Sequence, residues 1–347
     1  MNRFLLIALL LLTQLQVFAQ SQSAKPKRGE GISIFLVRLG RPGQAYYQEF
    51  LELNKDKLRG KRELLLGVSY LLPDLKSGNN GSNAPAAAGN ASRSSGSNNR
   101  KTTFHEPLFG DKLADGKIES QKLSGACFYI VSGHGGPDPG AIGRMGSHEL
   151  HEDEYAYDVA LRLARNLMQD GAEVRIIIQD AQDGIRDEKF LNNSKRETCM
   201  GATIPLNQTE RLKQRSDKIN ALYEKDKKQY SYCRAIFIHV DSRSKGEETD
   251  VFFYHADGSQ SGRALARAMQ QQFREKYQQH QPGRGFDGSV EPRGLYVLRH
   301  TAPVAVFVEL GNIQNPHDQQ RFVLNSNRQA LANWLQAACI KDFENQK

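Results

Sequence analysis

The run Cys127-Phe128-Tyr129-Ile130-Val131-Ser132-Gly133-His134-Gly135-Gly136-Pro137-Asp138-Pro139-Gly140 decides the architecture. Its first five residues are apolar and β-prone, and they predict a buried strand. Four glycines between positions 133 and 140 then let the backbone turn sharply and present His134 without neighbouring side-chain bulk.

Downstream, Tyr155, Val159, Leu163 and Leu167 recur every four residues and predict a helix that stops near Asp170-Gly171. Val174–Ile178 reads as a second strand. After a polar stretch over 180–208 come a helix through Leu212, Ile219 and Leu222 and a strand over Ala235–Val240. Val251–Tyr254 is short and β-like, and Leu265, Met269, Phe273 and Tyr277 line another helix. Leu295–Leu298 and Val304–Val308 read as strands, and Phe322–Ala338 as a closing helix. Strands interleaved with helices predict an α/β fold, a mainly parallel sheet with helices on both faces. Such a sheet carries its functional groups beyond the carboxyl ends of its strands.

Upstream, residues 76–101 are almost pure Gly, Ser, Asn and Ala, with no aromatic or large aliphatic residue to offset the entropy of ordering them. They read as a flexible linker with an end-to-end distance of about 25–31 Å. The linker separates a module over 20–75 from one over 102–347. At the start, the apolar run Phe4–Leu12 follows the lone charge of Arg3 and ends in Val17-Phe18-Ala19. That pattern is a secretory signal peptide over 1–19, far short of the roughly 20 residues of a spanning helix. The expected product is exported, periplasmic or extracellular, with no stable membrane insertion.

The formal charge is +8; without Arg3, residues 20–75 carry +4, residues 76–101 another +4, and the remainder −1. A basic front in an exported protein suits an anionic wall polymer or simple solubility, and nucleic acid is not an expected partner. The four cysteines, Cys127, Cys199, Cys233 and Cys339, contain no C-x-x-C, so a cysteine metal site is not expected; three disulfide pairings are open.

The strand ends carry the chemistry. The first delivers His134, and Ala235–Val240 delivers His239 at the same sheet edge. The last apolar strand delivers Glu309. Between the histidines in sequence, His148-Glu149-Leu150-His151-Glu152-Asp153-Glu154 opens the Tyr155 helix, where acidic residues also suit the helix dipole. It is not an H-E-x-x-H site, since the second histidine stands one residue early. Two histidines and a carboxylate with one open position form a recurring catalytic zinc arrangement.

In that order, the motifs from Tyr129 to Leu163, around His239, and from Leu295 to Gly311 closely resemble the zinc-dependent N-acetylmuramoyl-L-alanine amidases of bacterial cell-wall turnover and cell separation. The resemblance covers about residues 125–343. It implies Zn2+ held by His134, Glu152 and His239, with Glu152 fitting the register better than Glu149 or Glu154, and it implies Glu309 as the catalytic glutamate. It further implies peptidoglycan as substrate and the bond between N-acetylmuramic acid and L-alanine as the one cut; whether a protein activator takes part is not read from the sequence. Asp241 stands where the family usually has Asn and Asn312 where it usually has Phe, departures that bear on the substrate groove. The stretch 180–208 is longer than a connection needs and is a candidate cover for the site.

In the front module, Gly29–Phe35, Leu51–Asn54 and Gly67–Pro73 resemble a divergent LysM repeat, a βααβ unit that binds N-acetylglucosamine in peptidoglycan; a plain structural cap is the alternative. For the whole chain, the rivals to a tethered amidase are a zinc peptidase cutting the stem peptide and a non-catalytic wall-binding protein on the same fold.

Overall fold

The computed structural model describes residues 22–27, 32–41, 44–58, 64–75, 102–241 and 248–346. The expected signal segment at 1–19 and the expected linker at 76–101 lie outside the described residues. No helix among the described residues is long and apolar enough to cross a membrane.

Six strands build the central sheet: β1 (Ala126–Ser132), β2 (Glu173–Ile176), β3 (Tyr232–Asp241), β4 (Phe252–His255), β5 (Val290–Pro292) and β6 (Val304–Asn312), ordered β5-β4-β6-β3-β1-β2. Neighbours are parallel except β4 with β6. The helices are α1 (Glu152–Gln169), α2 (Gln208–Asp226), α3 (Gln260–His280), α4 (Tyr296–His300), α5 (Pro316–Val323) and α6 (Asn325–Glu344).

Every residue of β1 is buried, as its continuous apolar run requires of a strand covered on both faces. Alternation sends Phe128 and Ile130 into one core with α1, α3 and α6, and Tyr129 and Val131 into a second core under α2 and α4. In β3 and β6 the odd positions, Phe237 and Phe307 among them, face this second core, so His239 and Glu309 emerge on its side.

Two expected elements differ. Leu295–Leu298 is not a strand: Tyr296–His300 is the helix α4, with Val297 and Leu298 buried against the sheet. A four-residue apolar run has no decisive period, and β6 already has β3 and β4 on its two edges. The closing helix over Phe322–Ala338 is two helices, because Leu324 is extended (φ −92°, ψ 117°) and ends α5 before α6 begins at Asn325. Asn315 caps α5, its side chain accepting from the His317 and Asp318 amides ahead of Pro316 at the first turn.

The front residues form their own small core of Ile32, Phe35, Leu36, Phe50, Leu58, Tyr70 and Leu72. Ser23–Ala24 pairs antiparallel with Tyr70–Leu71, bracketing helices at Ile32–Arg38, Gln44–Leu53 and Lys55–Leu58. The Asn54 amide closes the unit by donating to Phe50 O and Leu71 O, both at 2.9 Å. All four cysteines are buried free thiols, with Cys127 and Cys233 in register across β1 and β3.

One buried ionic knot ties α1 to α6. The fully buried Asp158 carboxylate accepts from Arg162 Nε at 2.7 Å, from Arg328 Nε at 2.6 Å and from the Arg186 amide at 2.7 Å. Removing one partner of such a set leaves unpaired charge in the interior. Asp158→Ala, which strands two guanidiniums, is expected to lower unfolding stability by about 3–5 kcal/mol in urea denaturation, whereas Glu224→Ala on the surface of α2 is expected to stay within about 0.5 kcal/mol of wild type.

Candidate metal centre and active site

His134 sits one residue beyond the first glycine after β1, in the left-handed region at φ 57°. Only a few per cent of non-glycine residues adopt such a backbone, and surrounding structure must enforce it. Here the enforcement is local: Arg215 of α2 donates to the His134 carbonyl, and the Asp138 carboxylate accepts from the ring at Nδ1 (2.9 Å). Asp138 is held in turn by Arg211 Nη2 at 2.7 Å and by the Gly140 amide at 3.2 Å. With Nδ1 so engaged, Nε2 points to Glu152, 3.2 Å from Oε1.

Glu152 is the first residue of α1 and is only 4% exposed. Its Oε2 accepts from the Ala141 amide at 2.8 Å and its Oε1 from the Val240 amide at 3.0 Å. The same Oε1 lies 3.0 Å from His239 Nδ1. Two backbone amides thus fix the carboxylate before any ligand arrives. The His239 ring stacks on Phe307 at 4.2 Å between centroids and meets the His134 ring edge-on at 4.9 Å. It fits because Gly133 has no Cβ; one built there would collide with the ring. A Cβ on Gly140, itself at φ 69°, would come 2.7 Å from both Glu152 Oε2 and His134 Cδ2. These two glycines leave the space that the His239, His134 and Glu152 side chains occupy.

One nitrogen from each histidine and one Glu152 oxygen lie within 4.8 Å of one another. Tetrahedral zinc with nitrogen and oxygen ligands at about 2.0–2.1 Å has donor–donor edges of about 3.3 Å, and the 3.0 and 3.2 Å separations match that spacing. The donor set, two imidazoles and a carboxylate, suits zinc chemically. Burial disfavours the His134 imidazolium, yet the bonds to Asp138 and Glu152 outweigh it and raise its pKa to about 10. Burial lowers that of His239. Burial also works against the Glu152 carboxylate, but the two imidazoles hold it below the usual carboxylate range.

Glu309 is the strand partner of His239 in the β3–β6 ladder, so the two side chains stand side by side on one face. A cavity of about 270 Å³ opens there, lined by Ser132, His134, Asp138, Gln208, Arg211, Leu212, Arg215, Phe237, His239, Leu295, Tyr296, Val297, Phe307 and Glu309. His134, Glu152, His239 and Glu309, read from sequence as separate pieces, are therefore brought to one edge. Glu149 is not: its carboxylate pairs with Arg144 at 2.6 Å and His151 at 3.4 Å on an exposed hairpin of Ile142–Met145 and His148–His151. The stretch 180–208 contributes only Gln208 to the lining; Glu197 and Ile204 pack against Gly135 and Gly136. The supporting side chains Arg211, Arg215 and Phe307 are not legible in the sequence. The i,i+4 spacing of the two arginines on α2 is the one available signal, and it reads equally as a solvated face.

A mainly parallel sheet with two histidines and two carboxylates at its carboxyl edge has the form of a hydrolytic enzyme centre. Residues 129–341 match the family described as N-acetylmuramoyl-L-alanine amidase, and the chain belongs to that family. It is similar to the probable cell wall amidase LytH of Staphylococcus aureus, 26% identical over 228 residues, which are 64% of this chain and 60% of the relative's length. Among solved structures, the amidase AmiC2 of Nostoc punctiforme is similar at 20% identity and a TM-score of 0.44, over 64% of this chain and 99% of that one. The CwlD amidase of Clostridioides difficile, in complex with the GerS lipoprotein, is similar at 16% identity and a TM-score of 0.47, over 63% and 99% respectively.

Asp138→Ala removes the group that orients the His134 ring. It is expected to weaken metal affinity by about 10–100-fold in competition with a chromophoric chelator, with the far-ultraviolet circular dichroism unchanged.

Proposed function

We propose that the protein is an exported zinc hydrolase that cleaves the amide bond between N-acetylmuramic acid and L-alanine in bacterial peptidoglycan, in wall turnover or daughter-cell separation. The observation that carries this is the ladder register placing Glu309 beside His239, at the edge where His134 and Glu152 also converge. Family membership supports the bond assigned. The name of the staphylococcal relative supports the wall as substrate.

His134 Nε2, Glu152 Oε1 and His239 Nδ1 would hold the zinc. When bound, zinc supplies Lewis acidity to the amide carbonyl and lowers the pKa of water at the site. Glu309 accepts the proton of the attacking water as the carbon–oxygen bond forms, and delivers it to the departing alanine nitrogen as the carbon–nitrogen bond breaks. The apolar residues before Glu309, Ala305 to Val308, are buried and hold its backbone rigidly. Asp138, anchored by Arg211, keeps the His134 ring in the orientation that leaves Nε2 facing the centre. Leu295, Tyr296 and Val297 supply an apolar wall. At about 270 Å³ the cavity falls below the roughly 300–1,000 Å³ of pockets that enclose a whole ligand. Peptidoglycan is a polymer, so only the part around the scissile amide would enter, with glycan and distal peptide outside.

Residues 1–19 act as the export signal, 20–75 as a LysM-like wall-binding module, 76–101 as a linker and 102–347 as the catalytic domain. The bracketing strand pair and separate core of the front residues support a self-contained module, and its basic charge supports attraction to an anionic wall.

Glu309→Gln keeps size and hydrogen-bonding reach but cannot take the proton. Turnover of purified muropeptides, followed by mass spectrometry of peptide-free glycan, is expected to fall by about 10²–10⁴-fold with zinc content intact. Loss of zinc would instead make Glu309 a ligand, and release of cut stem peptides would turn the reading toward a peptidase. Elemental analysis is expected to give one zinc per chain, lost in Glu152→Ala and kept in Glu149→Ala. Deleting residues 20–101 is expected to spare turnover of small soluble muropeptides and to weaken pull-down on insoluble sacculi; unchanged pull-down would leave the front module as a structural cap.

A further inference from the structure

A second set of carboxylates is buried behind the first turn of α1. Asp153 and Glu154 follow Glu152 there, and Glu197 comes from the loop between β2 and α2; they are 3%, 2% and 7% exposed. One carboxylate oxygen from each lies within 4.8 Å of the others. Glu154 accepts from the Ser194 amide and from Arg186 Nη1 at 2.8 Å. Glu197 Oε2 accepts from the Gly136 amide at 2.8 Å. Asp153 Oδ1 accepts from the Glu154 amide at 2.9 Å, while its Oδ2 is buried with no hydrogen-bond partner. An orphan carboxylate oxygen in the interior is costly and rare.

Nearby guanidiniums do not neutralise the set. Arg186 is shared between Glu154 and Asp183, and Arg196 between Asp180 and Asp183. Among the described residues no ion pair reaches Asp153 or Glu197. The helix N-terminus favours first-turn carboxylates by about 0.3–1 kcal/mol each, small against several kcal/mol for each buried ion. A cation among the three carboxylates would supply the partner that Asp153 Oδ2 lacks.

We propose that Asp153, Glu154 and Glu197 bind a second divalent cation, calcium, separate from the zinc centre. Three hard oxygen donors select calcium or magnesium over zinc. One oxygen from each of the three carboxylates lies close enough to the others to share a single ion. Calcium accepts irregular geometry and about 6–8 oxygens, so backbone carbonyls or water would complete its shell, whereas magnesium demands a near-ideal octahedron. Bound there, the ion clips the 180–203 loop to α1 and, through Glu197 and the Gly136 amide, to the loop that carries His134.

The test takes the full-length, zinc-loaded protein, freed of calcium on a chelating resin with zinc restored. It is dialysed against calcium chloride, assayed for both metals and melted. Expected are one calcium per chain beside one zinc, and a melting midpoint raised by about 5–10 °C at calcium 100-fold above its dissociation constant. Glu197→Gln is expected to lose both the calcium and the rise while keeping its zinc. Wild-type protein that binds no calcium, or melts at the same temperature with it, overturns the proposal. So does a Glu197→Gln protein that retains stoichiometric calcium, and so does an equal rise with magnesium chloride. If that variant fails to fold, the wild-type titration decides alone.

Discussion

The Glu152 carboxylate is the joint on which the centre depends. Its two oxygens accept from the amides of Ala141 and Val240, one in the segment after the glycine loop and the other in β3, while Glu152 itself begins α1. A buried carboxylate costs several kcal/mol unless its lone pairs are filled. Here two amides and two imidazole nitrogens fill them, so the charge that threatens the fold also locks loop, strand and helix together.

Around that joint, the backbone makes room for rings. Gly133 leaves space for His239 and Gly140 for His134 and Glu152, and the left-handed turn at His134 aims its imidazole inward. That conformation costs about 1–3 kcal/mol, and the bonds from Arg215 and Asp138 hold it in place. Rigid placement of this kind is what a hydrolytic centre requires, since misplacement of a reacting group by 1 Å can cost about 10²-fold in rate.

Much of this is legible from residue order. Continuous apolar runs at 127–131, 235–240 and 304–308 are buried strands, and the every-fourth-residue pattern from Tyr155 is the helix α1. The residues at the strand ends, His134, His239 and Glu309, stand together as placement at one sheet edge implies. The failures also have physical causes. At Leu295–Leu298 a run about one helical turn long could not distinguish strand from helix, and at Leu324 a single extended residue interrupts an otherwise helical pattern.

By itself, then, the sequence determined the local periods, the glycine positions and the types of side chain delivered at each strand end, because these depend on neighbours within a few residues. The resemblance already favoured Glu152, but the tertiary structure alone decided where each carboxylate of the acidic run points. Glu149, Glu152 and Glu154 lie within one short acidic run, yet the hairpin exposes Glu149 to Arg144, the helix start aims Glu152 at the histidines, and Glu154 turns to Arg186. Their chemistry is identical, and only the direction of each Cα–Cβ bond at the strand-to-helix junction separates them. The register of β3 against β6, which sets Glu309 beside His239, was likewise beyond local reading: a one-residue slip would turn that carboxylate into the opposite core, and burial of Val306 and Val308 on that other face forbids the slip.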